Sequence, residues 1–280
     1  MIDLKKAVSF VLSIIVFSTA IFVDSCDKAL VTVDFLKTGS SDCIIIKTKN
    51  HSVLIDTAYS ESFEIIENKL YNLGVNTLDY LILTHYDKDH IGSASKVLTK
   101  YSPKEVFVTY DKPKVCSKAH KDYLKTINKH KIIPTVVNKQ TKLNFDDVEL
   151  LIIPPKKKLY SRDVSNNSSL VVAMRQASCS FLFSADVEYE RIEEMLAQNI
   201  GHYDVLKVPH HGWYEKNTSE FIEKVSPKYS VVTNVNGYRK IPRTVSAIIS
   251  SGSYLYTTAK GAVTVKCYDG YFSVYQNYVW

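Results

Sequence analysis

The sequence predicts an α/β protein in which two β-sheets pack face to face and helices cover their outer sides. Short apolar and β-branched runs alternate with segments whose apolar residues recur at helical spacing, the pattern of strands interleaved with helices. Each half of the chain follows this plan without repeating the other's sequence, so two strand-rich layers, each with its own helices, are expected. The composition fits a globular body: 280 residues, 45% hydrophobic and 11% aromatic, with nine glycines and eight prolines. It excludes a collagen-like, low-complexity or disordered chain, and the length allows one large domain or two tightly joined halves.

In chain order, residues 31–36, 43–47 and 53–56 are β-branched runs separated by turn residues, an antiparallel opening. Residues 63–73 place Phe63, Ile66, Leu70 and Leu73 on one helical face and stop at Gly74. A buried strand at 78–83 is followed by a helix at about 93–100, a strand at 106–110 and a lysine-rich helix at 118–130. The second half offers strands at 148–153, 170–174, 180–184, 205–208, 229–232, 254–256 and 262–268. Helices are expected near 188–198, 219–225 and 244–250.

Residues 1–25 read as a leader and residues 26–280 as the folded domain. Lys5 and Lys6 precede an uncharged run over 7–23, followed by Asp24, Ser25 and Cys26. This is a positive leader, an apolar segment and a small-residue exit, and three outcomes stay open: a cleaved signal peptide, an uncleaved membrane anchor, or a lipoprotein leader. Val-Asp-Ser-Cys resembles the lipobox of bacterial lipoproteins, whose cysteine carries the lipid, with Asp24 as a departure. All three place the domain outside the cytoplasm, because lysines ahead of such a segment stay inside. Cys43, Cys116, Cys179 and Cys267 are too widely spaced for a cysteine metal site. Cys43 and Cys179 sit in strand-like runs as small core residues; export permits a disulfide, and the sequence does not show one.

The net charge of +6 is unevenly spread: residues 100–142 hold eleven lysines against Glu105, Asp111 and Asp122. Such a run makes either a solvated face or a surface for a phosphate-rich partner, since clustered lysines release counterions from a polyanion.

Four apolar strands end in residues that bind metal or move protons: Asp56 after SVLI, HYDKDH after LIL, Asp186 after SFLFSA, and His210-His211 after DVLKVP. Strand ends on one sheet edge can converge on a shared site. Of eight histidines, His85, His90, His210 and His211 fall in these loops; His51, His120, His130 and His202 lie in polar surroundings and are expected at the surface. Within HYDKDH, His85 and Asp87 can face one ion while Asp89 and His90, at the entry to a helix, face a second about 3.5–4 Å away. Gly92 allows close approach of the chain. Imidazole and carboxylate without thiolate suit zinc, manganese or iron over copper, and two histidines argue against calcium.

HYDKDH resembles the H-x-[HD]-x-D-H signature of the metallo-β-lactamase fold, in the variant found in the hydrolase domain of ComEC-like competence proteins. VDFLKTGSSDCIII, VLIDT, NNSSLVV, FLFSADVE and DVLKVPHHG resemble the further motifs of that family in the same order. The resemblance implies a four-layer αβ/βα sandwich and a hydrolase with one or two divalent metal ions. It implies that Asp186 bridges the ions, that His85 with Asp87 and Asp89 with His90 supply ligands, and that His210 or His211 adds a ligand or protonates the leaving group. Asp56 would orient a ligand histidine, and Asn166 and Asn167 would contact substrate or a metal-bound water. Ser40, Ser41, Ala58, Ala185 and Trp213 depart from the motifs around the ligands, and Ile241 stands before Pro242 where the family has a histidine. The sequence therefore predicts a weakened second metal site. Three functions follow: a phosphodiesterase or nuclease acting on nucleic acid outside the cell, a hydrolase of small esters, thioesters or lactams, or a binding module with an incomplete metal centre. The lysine-rich stretch favours the first, and Ile241 motivates the third.

Overall fold

The computed structural model describes residues 29–110, 116–237 and 241–277. The expected leader and Cys26 lie outside the described residues, as do Lys112, Lys114, Arg239 and Lys240. The fold is a four-layer sandwich, helix, sheet, sheet, helix. Among the described residues the first sheet has eight strands and the second seven.

The first sheet opens with β1 (Val31–Phe35), β2 (Ile44–Thr48) and β3 (Ser52–Ile55), joined antiparallel. From β3 the chain crosses through α1 (Phe63–Asn72) to the parallel strand β4 (Tyr80–Leu83). It returns through the single turn α2 (Lys88–Ile91) and α3 (Ala94–Tyr101) to β5 (Glu105–Val108), then through α4 (Lys118–Lys129) to β6 (Thr135–Val136). The second sheet begins with β7 (Thr141–Phe145) and β8 (Val148–Ile153). A single helical turn, α5 (Val164–Asn167), leads to β9 (Val171–Gln176) and β10 (Cys179–Phe183). After β10 the sheet is parallel: α6 (Tyr189–Ala197), β11 (Val205–Lys207), α7 (Thr218–Val225), β12 (Tyr229–Val232), α8 (Pro242–Ser250) and β13 (Tyr254–Thr257). The chain then returns to the first sheet as the hairpin β14 (Val263–Cys267) and β15 (Phe272–Gln276), with β14 against β1.

Because successive side chains of a strand point to opposite faces, an unbroken apolar strand serves two cores at once. Ile44 and Ile46 of β2 face the second sheet, whereas Ile45 faces the helices. Phe181 and Phe183 of β10 meet them from the other side, and Leu182 points outward to the helices of the second half. In both sheets the parallel strands end at the same end of the sandwich, where open α/β sheets collect their functional groups. The two sheets are tied there by Leu170 N–H donating to the Thr84 carbonyl at 2.9 Å.

The opposite end is closed separately. Val31 lies across from Cys267 and Thr48, and Leu30 N–H donates to the Cys267 carbonyl at 2.8 Å. Asp146, in the turn between β7 and β8, accepts from Asn50 Nδ2 at 2.7 Å and sits 3.2 Å from His51 Nδ1, which latches a hairpin of one sheet to a hairpin of the other.

The strands β6, β7 and β15 were not expected from the sequence, and all three are sheet edges. Their polar, half-exposed residues give no apolar run. The surface position expected for His120 is overturned: it is 5% exposed, stacked on Tyr86 with ring centroids 4.7 Å apart. Helical spacing is the reason, since His120 shares the inward face of α4 with Tyr123.

Candidate metal centre

Each cluster residue sits where a strand stops. Asp56 follows β3 with φ 58°, a left-handed conformation that aspartate tolerates and that turns its carboxylate back under the β4 loop. One oxygen accepts from Thr84 N–H at 2.8 Å, and the other accepts from Thr84 Oγ1 at 2.7 Å and from His90 Nδ1 at 2.7 Å. Thr84 Oγ1, already donating to Asp56, is left to accept from His85 Nδ1 at 3.1 Å, with Ser169 Oγ 3.3 Å away. His211 Nδ1 donates to the Thr233 carbonyl at 2.9 Å. Three imidazoles thus have Nδ1 tied to the protein, which fixes ring orientation and presents Nε2 to the interior of the site.

Those three Nε2 atoms are buried and make no hydrogen bond. His90 Nε2 and His211 Nε2 lie 3.2 and 3.0 Å from Asp186 Oδ2, and His211 Nε2 lies 3.5 Å from Asp89 Oδ2. Asp89, His90, Asp186 and His211 each offer a ligand atom within 4.8 Å of the others. His85 packs against His90 with ring centroids 4.0 Å apart, and its Nε2 is 3.7 Å from Asp87 Oδ2. Buried polar atoms without partners are costly, and a divalent cation between Asp89, His90, Asp186 and His211 would satisfy the Nε2 atoms of His90 and His211 together. The donor set of imidazole nitrogens and carboxylate oxygens fits zinc, manganese or iron.

The charges inside are strongly coupled. Burial pushes the Asp89 carboxyl up, but the neighbouring His211 and His90 imidazoles outweigh it and hold it at about 2. Burial opposes the charge on His211, yet Asp186 and Asp89 push it up to about 9. Burial and the neighbouring His90 push His85 down.

A matching family profile, described as the metallo-beta-lactamase superfamily, covers residues 36–233. The chain belongs to the metallo-beta-lactamase superfamily. It is 28% identical over 286 residues to ComE operon protein 3 of Bacillus subtilis, covering 92% of this chain and 36% of that protein. It is 23% identical to competence protein ComA of Neisseria gonorrhoeae, covering 72% of this chain and 27% of that one. The chain therefore spans about a third of the length of these relatives. Among solved structures, the metallo-beta-lactamase fold protein YhfI from Bacillus subtilis superposes with a TM-score of 0.52 at 12% identity, covering 82% of this chain and 96% of that one.

Within this superfamily fold the sequence-predicted residues separate. His85, Asp89, His90, Asp186 and His211 come together, with Asp56 behind His90. Asp87 stands at the rim, accepting from Ser165 Oγ at 2.8 Å. His210 is also at the rim: its Nε2 is 4.0 Å from Asp186, and Glu188 Oε1 lies 3.0 Å from its Nδ1. Asn167 faces the protein, its Oδ1 accepting from the N–H groups of Glu188 and Arg191 at 3.2 and 3.0 Å. Asn166 donates to Glu188 Oε1 at 2.7 Å. Ile241 is buried, and a Cβ placed on Gly212 would come within 2.8 Å of its Cδ1, so an apolar side chain packs against the His211 turn, at the position where the resemblance implied a histidine.

Three charged supporting residues escaped the sequence reading, as did Thr84 and Thr233. Lys207 is fully buried, its Nζ 2.5 Å from Asp42 Oδ2, 3.1 Å from Asp186 Oδ1 and 2.6 Å from the Ala185 carbonyl. Asp42 in turn accepts from Thr233 Oγ1 at 2.6 Å, beside the carbonyl that holds His211. Glu188 is the third. The available signal was a lysine at the end of the apolar strand VLK.

Proposed function

We propose that this chain is a metal-dependent phosphodiesterase that cleaves nucleic acid outside the cytoplasm, held at a membrane by its N-terminal segment or by a lipid on Cys26. The observation that carries the catalytic part is the convergence of the Nε2 atoms of His90 and His211, neither of them hydrogen-bonded, on Asp186, with Asp89 beside His211 and the Nε2 of His85 facing Asp87 next to them. His85, His90, His211, Asp89 and Asp186 would hold the ion, or two ions with Asp87. A divalent ion bound there supplies a Lewis acid and lowers the pKa of water to near neutrality.

The chain's own residues do the rest. Asp56, Thr84 and Thr233 keep the imidazoles in the tautomer that points Nε2 inward. Lys207 holds one oxygen of Asp186 so that the other stays turned to the ligands. His210, a quarter exposed and beside Glu188, can carry a proton to a departing oxygen of the substrate. Trp213, 60% exposed with its ring 6.4 Å from His210, offers a face on which an unpaired base can stack. Lys118, Lys121, Lys125 and Lys129 lie exposed along α4, which packs beside the metal loop through His120 and Tyr86. The relative named competence protein ComA is consistent with a nucleic-acid substrate.

The test is an assay of single- and double-stranded DNA, RNA, bis-p-nitrophenyl phosphate and the lactam nitrocefin, with zinc, manganese or iron supplied. Cleavage of nucleic acid and of the phosphodiester, both lost in Asp186→Ala, is the expected result. Brisk nitrocefin turnover with no phosphodiester cleavage overturns the reading.

A further inference from the structure

Cys179 opens β10 in the second sheet and Cys267 closes β14 in the first, 88 residues apart in the chain. Both side chains point into the core between the sheets, where they are 3% and 0% exposed. Their sulfurs are in direct contact at 2.8 Å. Both are thiols in this structure. Cys43 is buried in the separate core beneath the first helix layer, and Cys116 is half-buried before α4.

We propose that Cys179 and Cys267 form a disulfide that joins the two sheets at the end opposite the metal centre. A buried cysteine is ordinarily a small apolar residue, and one in each sheet would need no particular partner. What singles out this pair is that each meets the other across the sandwich, at the same end where Leu30 and the Asp146 latch close the fold. From the proposed function the inference takes only the location outside the cytoplasm, where such bonds persist.

The chemistry needs a disulfide-bearing oxidant, R–S–S–R. One cysteine thiolate attacks it, releasing RS⁻ and leaving a mixed disulfide; the second thiolate attacks the cysteine sulfur of that adduct and releases the other RS⁻. The pair loses two electrons and two protons, and two R–SH are formed. The contact with Cys267, and after it burial, push the Cys179 thiol far above its ordinary range in the folded state, so the thiolate is available chiefly before the sheets close. The bond therefore forms during folding and is afterwards shielded from reductant.

The experiment uses the full chain, recovered from the membrane and external fractions of an exporting bacterium, denatured without reductant, alkylated and digested. A peptide joining residue 179 to residue 267, two hydrogens lighter than its parts, is expected. Both cysteines alkylated as free thiols in exported protein overturns the proposal. A second arm does not depend on export: chain unfolded and reduced, then refolded in oxidised and reduced glutathione, should pair Cys179 with Cys267 ahead of any pair with Cys26, Cys43 or Cys116. Absence of that pair, or scrambled pairing, overturns it as well. Protein found only in the cytoplasm, yet pairing correctly in the second arm, would count against the location and not the cross-link. Reduction should lower the wild-type melting temperature by roughly 10 °C, since the bond closes a long loop, and leave Cys267→Ala unmoved.

Discussion

Asp56 uses both oxygens on Thr84 and on His90 Nδ1, on the side of that ring away from Nε2. Losing it frees His90 to rotate and to change tautomer, so Asp56→Ala should weaken zinc binding by about 10–100-fold in a competition titration, with little change in far-UV circular dichroism. Unchanged affinity would remove Asp56 from the site. Lys207 makes the complementary case. It compensates Asp42 and Asp186 in a fully buried position, so Lys207→Met should destabilise the metal-free protein by roughly 3–5 kcal/mol in urea melts, and added zinc should recover part of the loss. Ile241 bears on stoichiometry: the wild type should retain one tightly held ion per chain, and Ile241→His should move the count towards two by mass spectrometry of native protein. Equal counts would show that this position does not limit the second ion. The clustering of His85, Asp89, His90, Asp186 and His211 was legible because histidine and aspartate packed at strand ends have little else to do. Asp42 and Lys207 were not, because they meet only when residues far apart in the chain are folded into opposite sheets.

The helix α4 carries a polar face and a buried one, and each has a measurable consequence. If its exposed lysines guide a polyanion, Lys118, Lys121 and Lys125 changed together to Gln should flatten the log-log salt dependence of nucleic-acid cleavage by up to ~3, with metal content and turnover of bis-p-nitrophenyl phosphate unaltered. An unchanged slope would make the stretch a solvated face. On the other side, burial pushes the His120 imidazole down, so folding disfavours its charged form. A group with a depressed histidine pKa contributes stability above its unfolded value, about 6.5, and loses it as pH falls towards and through the folded value. Wild-type melting temperature should accordingly drop more between pH 8 and pH 5 than that of His120→Phe, which keeps the stack on Tyr86 without a titrating group. The central strands were readable at this scale because Ile44–Thr48 or Cys179–Phe183 are buried on both faces and so continuously apolar. Thr141–Phe145 and Phe272–Gln276 alternate with solvent or lie at an edge, and such runs look like loops until a neighbour pairs with them.

At the scale of the whole molecule, a tethered enzyme predicts that full-length protein sediments with membranes and is released by detergent. Palmitate labelling that disappears in Cys26→Ala would distinguish a lipid anchor from a spanning segment, and full-length protein retained in the cytoplasm would exclude both. The direction in which the chain enters the sandwich then acquires a spatial meaning. Val31 begins beside Cys267 and Thr48, whereas the metal ligands gather beyond Ile55, Leu83 and Phe183, at the far ends of their strands. A strand of five residues spans about 17 Å, so the end where β1 begins and the mouth of the metal cluster are separated by about that length. An anchor ahead of Val31, as proposed, would therefore put lipid at the base and turn the cluster towards the medium. A long polymer drifting past would then encounter the imidazoles before headgroups, and neither of its ends would have to be drawn under the protein to be cut.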